Sequence, residues 1–272
     1  MKKNLCAIII CALTAIMPAT AQCPLRNTAF NAGETLRYQL YFNWQFVWLK
    51  AGTASLEVRD ATYKGNSCLK ASLITKGSPR TDKFFMMRDT LTSFFTHELE
   101  PLYYRKGARE GKRYYTDEAW YTHTANTVDI HQLFRKEGSQ PVTHDQSSTE
   151  CVFDMVSMMM RARSFDPSAY KEGQRINFLM ADNGRVKNET LIYRGRKNFK
   201  MESTGITYRC LVFSFIERKD KKDKEIVTFY ITDDQNHIPV RLDLFLRFGT
   251  AKAFLTSQTE PRNPQTSIVK KN

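Results

Sequence analysis

Past its first residues, the 272-residue sequence has no uncharged apolar run of the roughly 20 residues that a helix needs to cross a bilayer. It also lacks G-x-S-x-G, H-E-x-x-H, G-x-G-x-x-G and a Walker loop, so the common hydrolase, zinc-protease and nucleotide-binding signatures are missing. No cysteine pair has C-x-x-C spacing, which removes zinc ribbons and thioredoxin-like redox motifs. Acidic residues are scarce: 28 Asp+Glu stand against 41 Lys+Arg, a formal charge of +13. An apolar fraction of 42% is that of a globular protein and excludes a disordered chain.

What is present begins with an address. Lys2 and Lys3 precede Leu5 to Met17, an apolar stretch of about 13 residues, and Ala19-Thr20-Ala21 supplies a small-x-small pattern. Cleavage is expected between Ala21 and Gln22, giving an exported, periplasmic protein with no transmembrane span. Gln22 is not small, which disfavours lipidation of Cys23. The mature chain then has 272 − 21 = 251 residues and a charge of 13 − 2 = +11. Its cysteines are Cys23, Cys68, Cys151 and Cys210, for which two disulfides in any of three connectivities, or buried thiols, are open.

Period-two alternation dominates the mature chain. Leu36, Tyr38, Leu40 and Phe42 alternate with polar partners, as do Ala54, Leu56 and Val58, then Leu69, Ala71 and Leu73. In the second half Leu211–Phe215, Val227–Ile231, Val240–Phe248 and Ala251–Leu255 repeat the pattern, with the charged stretch Arg218 to Lys224 as a hairpin tip. Short polar tips imply antiparallel pairing. One helix is expected, opened by Ser147-x-x-Glu150 and carrying Val152, Met155, Val156 and Met159, with an end near Ser164. A shorter helical turn is expected around Thr81 to Met87. The fold class is mainly β: a large curved antiparallel sheet or partial barrel packed on one central α-helix. Residues 22–258 form the β-rich domain, with two halves meeting near 138–150 as the alternative, and 259–272 form a disordered tail.

Candidate sites are few. His97, His123, His131, His144 and His237 are spread too widely to suggest a metal, and no cofactor is expected. Asp117 and Glu118 beside Trp120 and Tyr121 suggest a sugar-cleaving pair, but neighbours on a strand point to opposite faces. Asp154 is read as a hydrogen-bonding anchor between helix and loop. Met155 and Met159, in a methionine-rich helix, are expected either in the core or lining a cavity for an apolar ligand. Arg105, Lys106 and Arg109 form one basic group and Arg194, Arg196 and Lys197 a second. With export, nucleic acid is not the expected partner; an envelope lipid, a lipopolysaccharide or an acidic glycan matches the charge, and so does a merely solvated face.

Gly33-Glu34-x-Leu36-x-Tyr38, then Gly52-x-Ala54-x-Leu56-x-Val58, Asp154-x-x-Ser157 with Arg161, and Asp233 to Pro239-Val240 followed by Gly249 occur in that order. This succession resembles the exported bacterial domain-of-unknown-function family 3108, over roughly Asn31 to Gln258. The resemblance implies an exported, predominantly β protein of a Gram-negative envelope and supplies no activity or catalytic residue. The function expected is non-enzymatic binding of an apolar or anionic envelope ligand. The alternatives are a structural adaptor for another envelope protein and, behind it, a glycan-active enzyme.

Overall fold

The computed structural model describes residues 23–44, 47–219, 222–246 and 249–270. The leader with Ala21 and Gln22 lies outside the described residues, as does part of the 218–224 tip. The chain runs β1 (Thr35–Trp44), β2 (Val47–Tyr63), β3 (Asn66–Gly77), α1 (Pro79–Asp82), β4 (Met87–Phe95), β5 (Pro101–Glu110), β6 (Arg113–His123), β7 (Val128–Lys136) and β8 (Val142–Ser148). It continues with β9 (Val152–Phe153), α2 (Met155–Ala162), β10 (Arg175–Asp182), β11 (Arg185–Lys200), β12 (Thr207–Lys219), β13 (Lys222–Thr232), β14 (Pro239–Leu246), β15 (Gly249–Thr259) and β16 (Ile268–Lys270).

All sixteen strands belong to one sheet. Its order is β8-β7-β6-β5-β4-β3-β2-β1-β15-β14-β13-β12-β11-β10-β9, with β16 added to β12. Two meanders are thus joined where β1 pairs with β15, and the chain crosses between them after Ser148. Apart from the parallel β9–β10 pair, every pairing is antiparallel. A twisted sheet of this width curls rather than staying flat. The β10–β11 tip completes the curl by lying on the inner side of β6 and β7. There Asn183 and Gly184 donate their backbone N–H groups to Asp117 at 2.6 and 3.3 Å. Gly184 has φ +68°, and a Cβ on it would stand 3.3 Å from Phe134, so glycine satisfies both the turn and the contact.

The alternating residues of β1 to β3 supply the core: Leu36, Leu56, Val58, Leu69 and Ala71 are buried together with Phe95, Val240 and Leu255. In β12 both parities are covered, since Cys210 and Val212 are as buried as Leu211 and Phe213. Among the described residues there are two helices, so a sheet packed on a single central helix is too simple a description. The first, α1, buries nothing. The second packs against β3, β4 and β10 and buries Val156, Ser157, Met158 and Met160.

The helix begins later than expected. Ser147 and Glu150 do not cap it, because Ser147 is held in the β7–β8 ladder, where it bonds Asp129 at 2.6 Å. The N-cap is Asp154, whose carboxylate accepts from Val156 N and Ser157 N at 2.9 and 2.8 Å, while Ser157 Oγ accepts from Asp154 N. Ser93 on β4 donates to the same carboxylate at 2.8 Å, so Asp154 anchors the helix to a strand rather than to a loop. Residues 260–270, expected to be a disordered tail, are packed instead. Ser267 is 1% exposed, Asn263 and Asn236 exchange hydrogen bonds of 2.8 Å, and β16 pairs with β12.

Candidate functional site

Two rims follow from the strand directions. In an antiparallel meander successive connections alternate ends. The β1–β2, β3–β4, β5–β6, β7–β8, β10–β11, β12–β13 and β14–β15 connections therefore share the first rim. The second rim holds residues 23–34, the start of α2 and the chain from 260 to 270. It is stapled by a Cys23–Cys151 disulfide, whereas Cys68 and Cys210 are buried thiols.

The sequence-predicted basic groups do not converge. Arg105 and Arg109 point to the outer face of β5, near Glu118 and over the Tyr114 ring, while Lys106 turns inward with its ammonium 5.1 Å from the Tyr115 ring centre. Arg194 donates to Ser214 and Arg196 to Asp233, and Lys197 is exposed. Eight strands of the sheet separate β5 from β11. The two groups are neighbours only within their own strands, and alternation sends adjacent members to opposite faces.

The methionines of α2, expected either in the core or lining a cavity, are divided between the surface and the core. Met155 is 39% exposed and Met159 packs at the edge of the core, while Val156 and Met160 fill the sheet interior. Neither of two surface hollows is lined by α2. One, of about 460 Å³, lies at the second rim between Phe30, Asp60, Leu69 and Arg262. The other, of about 360 Å³, lies on the outer face between Trp120, Asp129, His131 and Asp145. Asp117 and Glu118 cannot act as a pair: the former is turned inward to the β10–β11 tip, and the latter faces out to Tyr103 and Arg135.

What the tertiary structure gathers is an apolar and basic first rim. Thirteen large apolar side chains are exposed among the described residues. All but Ile74, Met155 and Val269 lie at this rim: Val47, Trp48, Leu49, Phe84, Phe85, Met86, Tyr114, Val142, Phe245 and Leu246. Phe84 is 90% exposed. The tips touch one another, since a Cβ on Gly111 would stand 3.3 Å from the Phe85 ring, and Lys252 places its ammonium 4.4 Å from the Trp48 ring centre. Exposed Lys50, Arg80, Lys83, Lys112, Arg113 and Arg185 are interspersed with these apolar tips. The only sequence signal for this surface was the odd placement of apolar residues in hairpin tips, as in Phe84-Phe85-Met86.

Inside the sheet the chemistry is acidic. Burial pushes the Asp89, Asp117 and Asp154 carboxyls up to about 6, outweighing the hydrogen bonds that each accepts. A carboxyl raised by folding stabilises the fold below its unfolded value, and that contribution is lost as pH climbs through about 6. His237, lowered by burial, acts in the opposite sense, and Asp82 and Asp223, lowered by Arg88 and Arg175, favour the fold above the usual carboxylate range. Four raised carboxyls, with Glu189 also pushed up by burial, stand against one histidine and set the slope: the melting temperature should be higher at about pH 5.5 than at about pH 7.5 by at least about 3 °C, on the order of 1 kcal/mol. Asp117→Asn should shrink that difference. A melting temperature that is flat or rises over this interval would contradict the assignment.

Comparison with known proteins adds the following. A family model described as a protein of unknown function (DUF3108) matches residues 37–256. No curated protein matches the chain. Among solved structures, a β-barrel-like protein of domain of unknown function DUF1849 from Brucella abortus is similar, with 9% identity and a TM-score of 0.55. The match covers 86% of this chain and 98% of that one. At such an identity the likeness is one of fold.

Proposed function

The chain belongs to the DUF3108 family of unknown function, and from that starting point we propose that it is an exported, non-enzymatic protein whose first rim docks on an anionic lipid surface. The observation that carries this reading is the gathering of ten exposed apolar side chains and several free cations on one rim of the sheet. Apolar tips such as Trp48, Phe84 and Leu246 gain by leaving water for the acyl boundary, while lysine and arginine heads remain at headgroup level. Each cation close to an anionic surface contributes about 1 kcal/mol. Tryptophan next to lysine is the pairing that suits the interface between lipid and water. Export is supported by the leader pattern from Lys2 to Ala21 and by the Cys23–Cys151 disulfide, which belongs to an oxidising compartment.

Vesicle sedimentation tests the proposal. The protein should pellet with phosphatidylglycerol-containing vesicles, much less with pure phosphatidylcholine, and be released as salt rises. The Trp48→Ser/Phe84→Ser double variant should bind about tenfold more weakly, the loss expected when an apolar side chain no longer inserts. Equal partition onto both vesicle types, or a variant that binds like the parent, would overturn the reading.

A further inference from the structure

The second rim carries a different constellation. Cys23 lies before β1, Glu100 in the turn before β5, His123 at the end of β6, and Cys151 between β8 and β9. The Cys23 sulfur, a Glu100 carboxylate oxygen and a His123 ring nitrogen all lie within 4.8 Å of one another. The Cys151 sulfur is bonded to that of Cys23, so a fourth donor stands one sulfur–sulfur bond from this three-residue cluster, and four separated segments supply the set. His123 is oriented for the task. Its Nε2–H donates to the Pro101 carbonyl at 2.7 Å, leaving Nδ1, 3.9 Å from Glu100, with its lone pair toward the group. A ring nitrogen fixed by a backbone carbonyl on its far side is the usual arrangement of a metal-ligating histidine.

We propose that reduction of the Cys23–Cys151 disulfide opens a tetrahedral site for a zinc ion, with two thiolates, the imidazole and the carboxylate as ligands. A dithiol reductant supplies two electrons and two protons: the sulfur–sulfur bond breaks, two S–H bonds form, and the reductant leaves as its own disulfide. The incoming cation then displaces both thiol protons to solvent. Zinc bonds of about 2.0–2.3 Å require donors roughly 3.3–3.8 Å apart in a tetrahedron, and His123 Nδ1 already stands 3.9 Å from a Glu100 oxygen. The donor set of sulfur, nitrogen and one oxygen suits zinc rather than calcium or magnesium. Charge also balances. Two thiolates and one carboxylate face the dication together with Arg161, which donates to the Cys23 carbonyl. In the oxidised protein the sulfurs are bound to each other and the site is shut, so metal binding reports the redox state of the second rim.

The test uses the purified full chain, oxidised or treated with a phosphine reductant, titrated with zinc against a chromophoric chelator. The reduced protein should take up one zinc equivalent and the oxidised protein none. Cobalt should give a thiolate charge-transfer band in the reduced form alone. His123→Ala and Glu100→Gln should each weaken zinc binding at least about tenfold. Cys68→Ser/Cys210→Ser, which removes the two remaining thiols, should leave binding unchanged. Zinc uptake by the oxidised form, dependence on Cys68 or Cys210, or a folded reduced protein that binds no zinc would each overturn the proposal. If reduction unfolds the chain, zinc must restore its native circular dichroism; failure to do so counts against the site equally.

Discussion

Arg163→Met, with Glu34 left in place, should cost the fold roughly 3–5 kcal/mol, among the largest effects of any single substitution in this protein. Arg163 and Glu34 are each 1% exposed. Arg163 Nη1 and Nη2 clasp the Glu34 carboxylate, Nε and Nη2 also donate to the Asn236 carbonyl at 3.2 and 3.0 Å, and the guanidinium stands 5.1 Å from the Phe30 ring centre. Through this one side chain the end of α2, the entry to β1 and the β13–β14 turn are held together. His237 returns from the same turn to donate its Nδ1–H to the Arg163 carbonyl. Removing the guanidinium leaves the Glu34 carboxyl buried and without its partner, which is why the cost exceeds that of a surface pair. The Glu34→Met/Arg163→Met double variant should lose much less than the sum of the two single variants, because no orphan charge remains. Urea unfolding followed by circular dichroism gives all three values. Single-variant costs below about 1 kcal/mol, or strict additivity, would refute the role assigned to the pair.

Loss of the Cys23–Cys151 cross-link should be the second large effect. The disulfide joins residues 128 apart in sequence. Closing a loop of that length in the unfolded chain is worth about 5 kcal/mol by chain entropy, and native disulfides typically return 2–5 kcal/mol. Cys23→Ser, Cys151→Ser and the reduced parent should therefore be destabilised by similar amounts when measured with a chelator present, so that no cation compensates. Adding reductant to the Cys23→Ser/Cys151→Ser variant should shift nothing further. A reductant-induced shift in that variant, or none in the parent, would show that the stability does not depend on this link.

The two halves of the sheet were unequally legible. β1 to β3, β14 and β15 alternate in the ordinary way, with apolar residues toward the core, and their positions follow from that period. The strands β4 to β7 partly reverse it. Asp89, Lys106, Asp117 and Gln132 face inward, while Phe94, Tyr103 and Trp120 form a row on the outer face, with Tyr103 and Trp120 ring centres 5.4 Å apart. A polar interior is tolerated there because the β10–β11 tip and α2 bring hydrogen-bond donors to it, and nothing local in the sequence announces that they will arrive. The start of the helix was misplaced for a related reason. Ser147-x-x-Glu150 and Asp154-x-x-Ser157 are both plausible caps, and only pairing of β8 with β7 removes the first from competition.

The sequence by itself determined a mainly β chain with antiparallel pairing, an ordered set of motifs that marks the family, and a surplus of positive charge. These are properties of neighbouring residues, written in a two-residue period and in short spacings. Which cysteines join, that Glu34 finds Arg163, and that apolar tips from distant hairpins share one rim were decided only by the tertiary structure. The physical reason is that each depends on which strand ends lie on the same side and on how far the sheet curls. Those are consequences of all fifteen strand pairings together, and no local segment carries them.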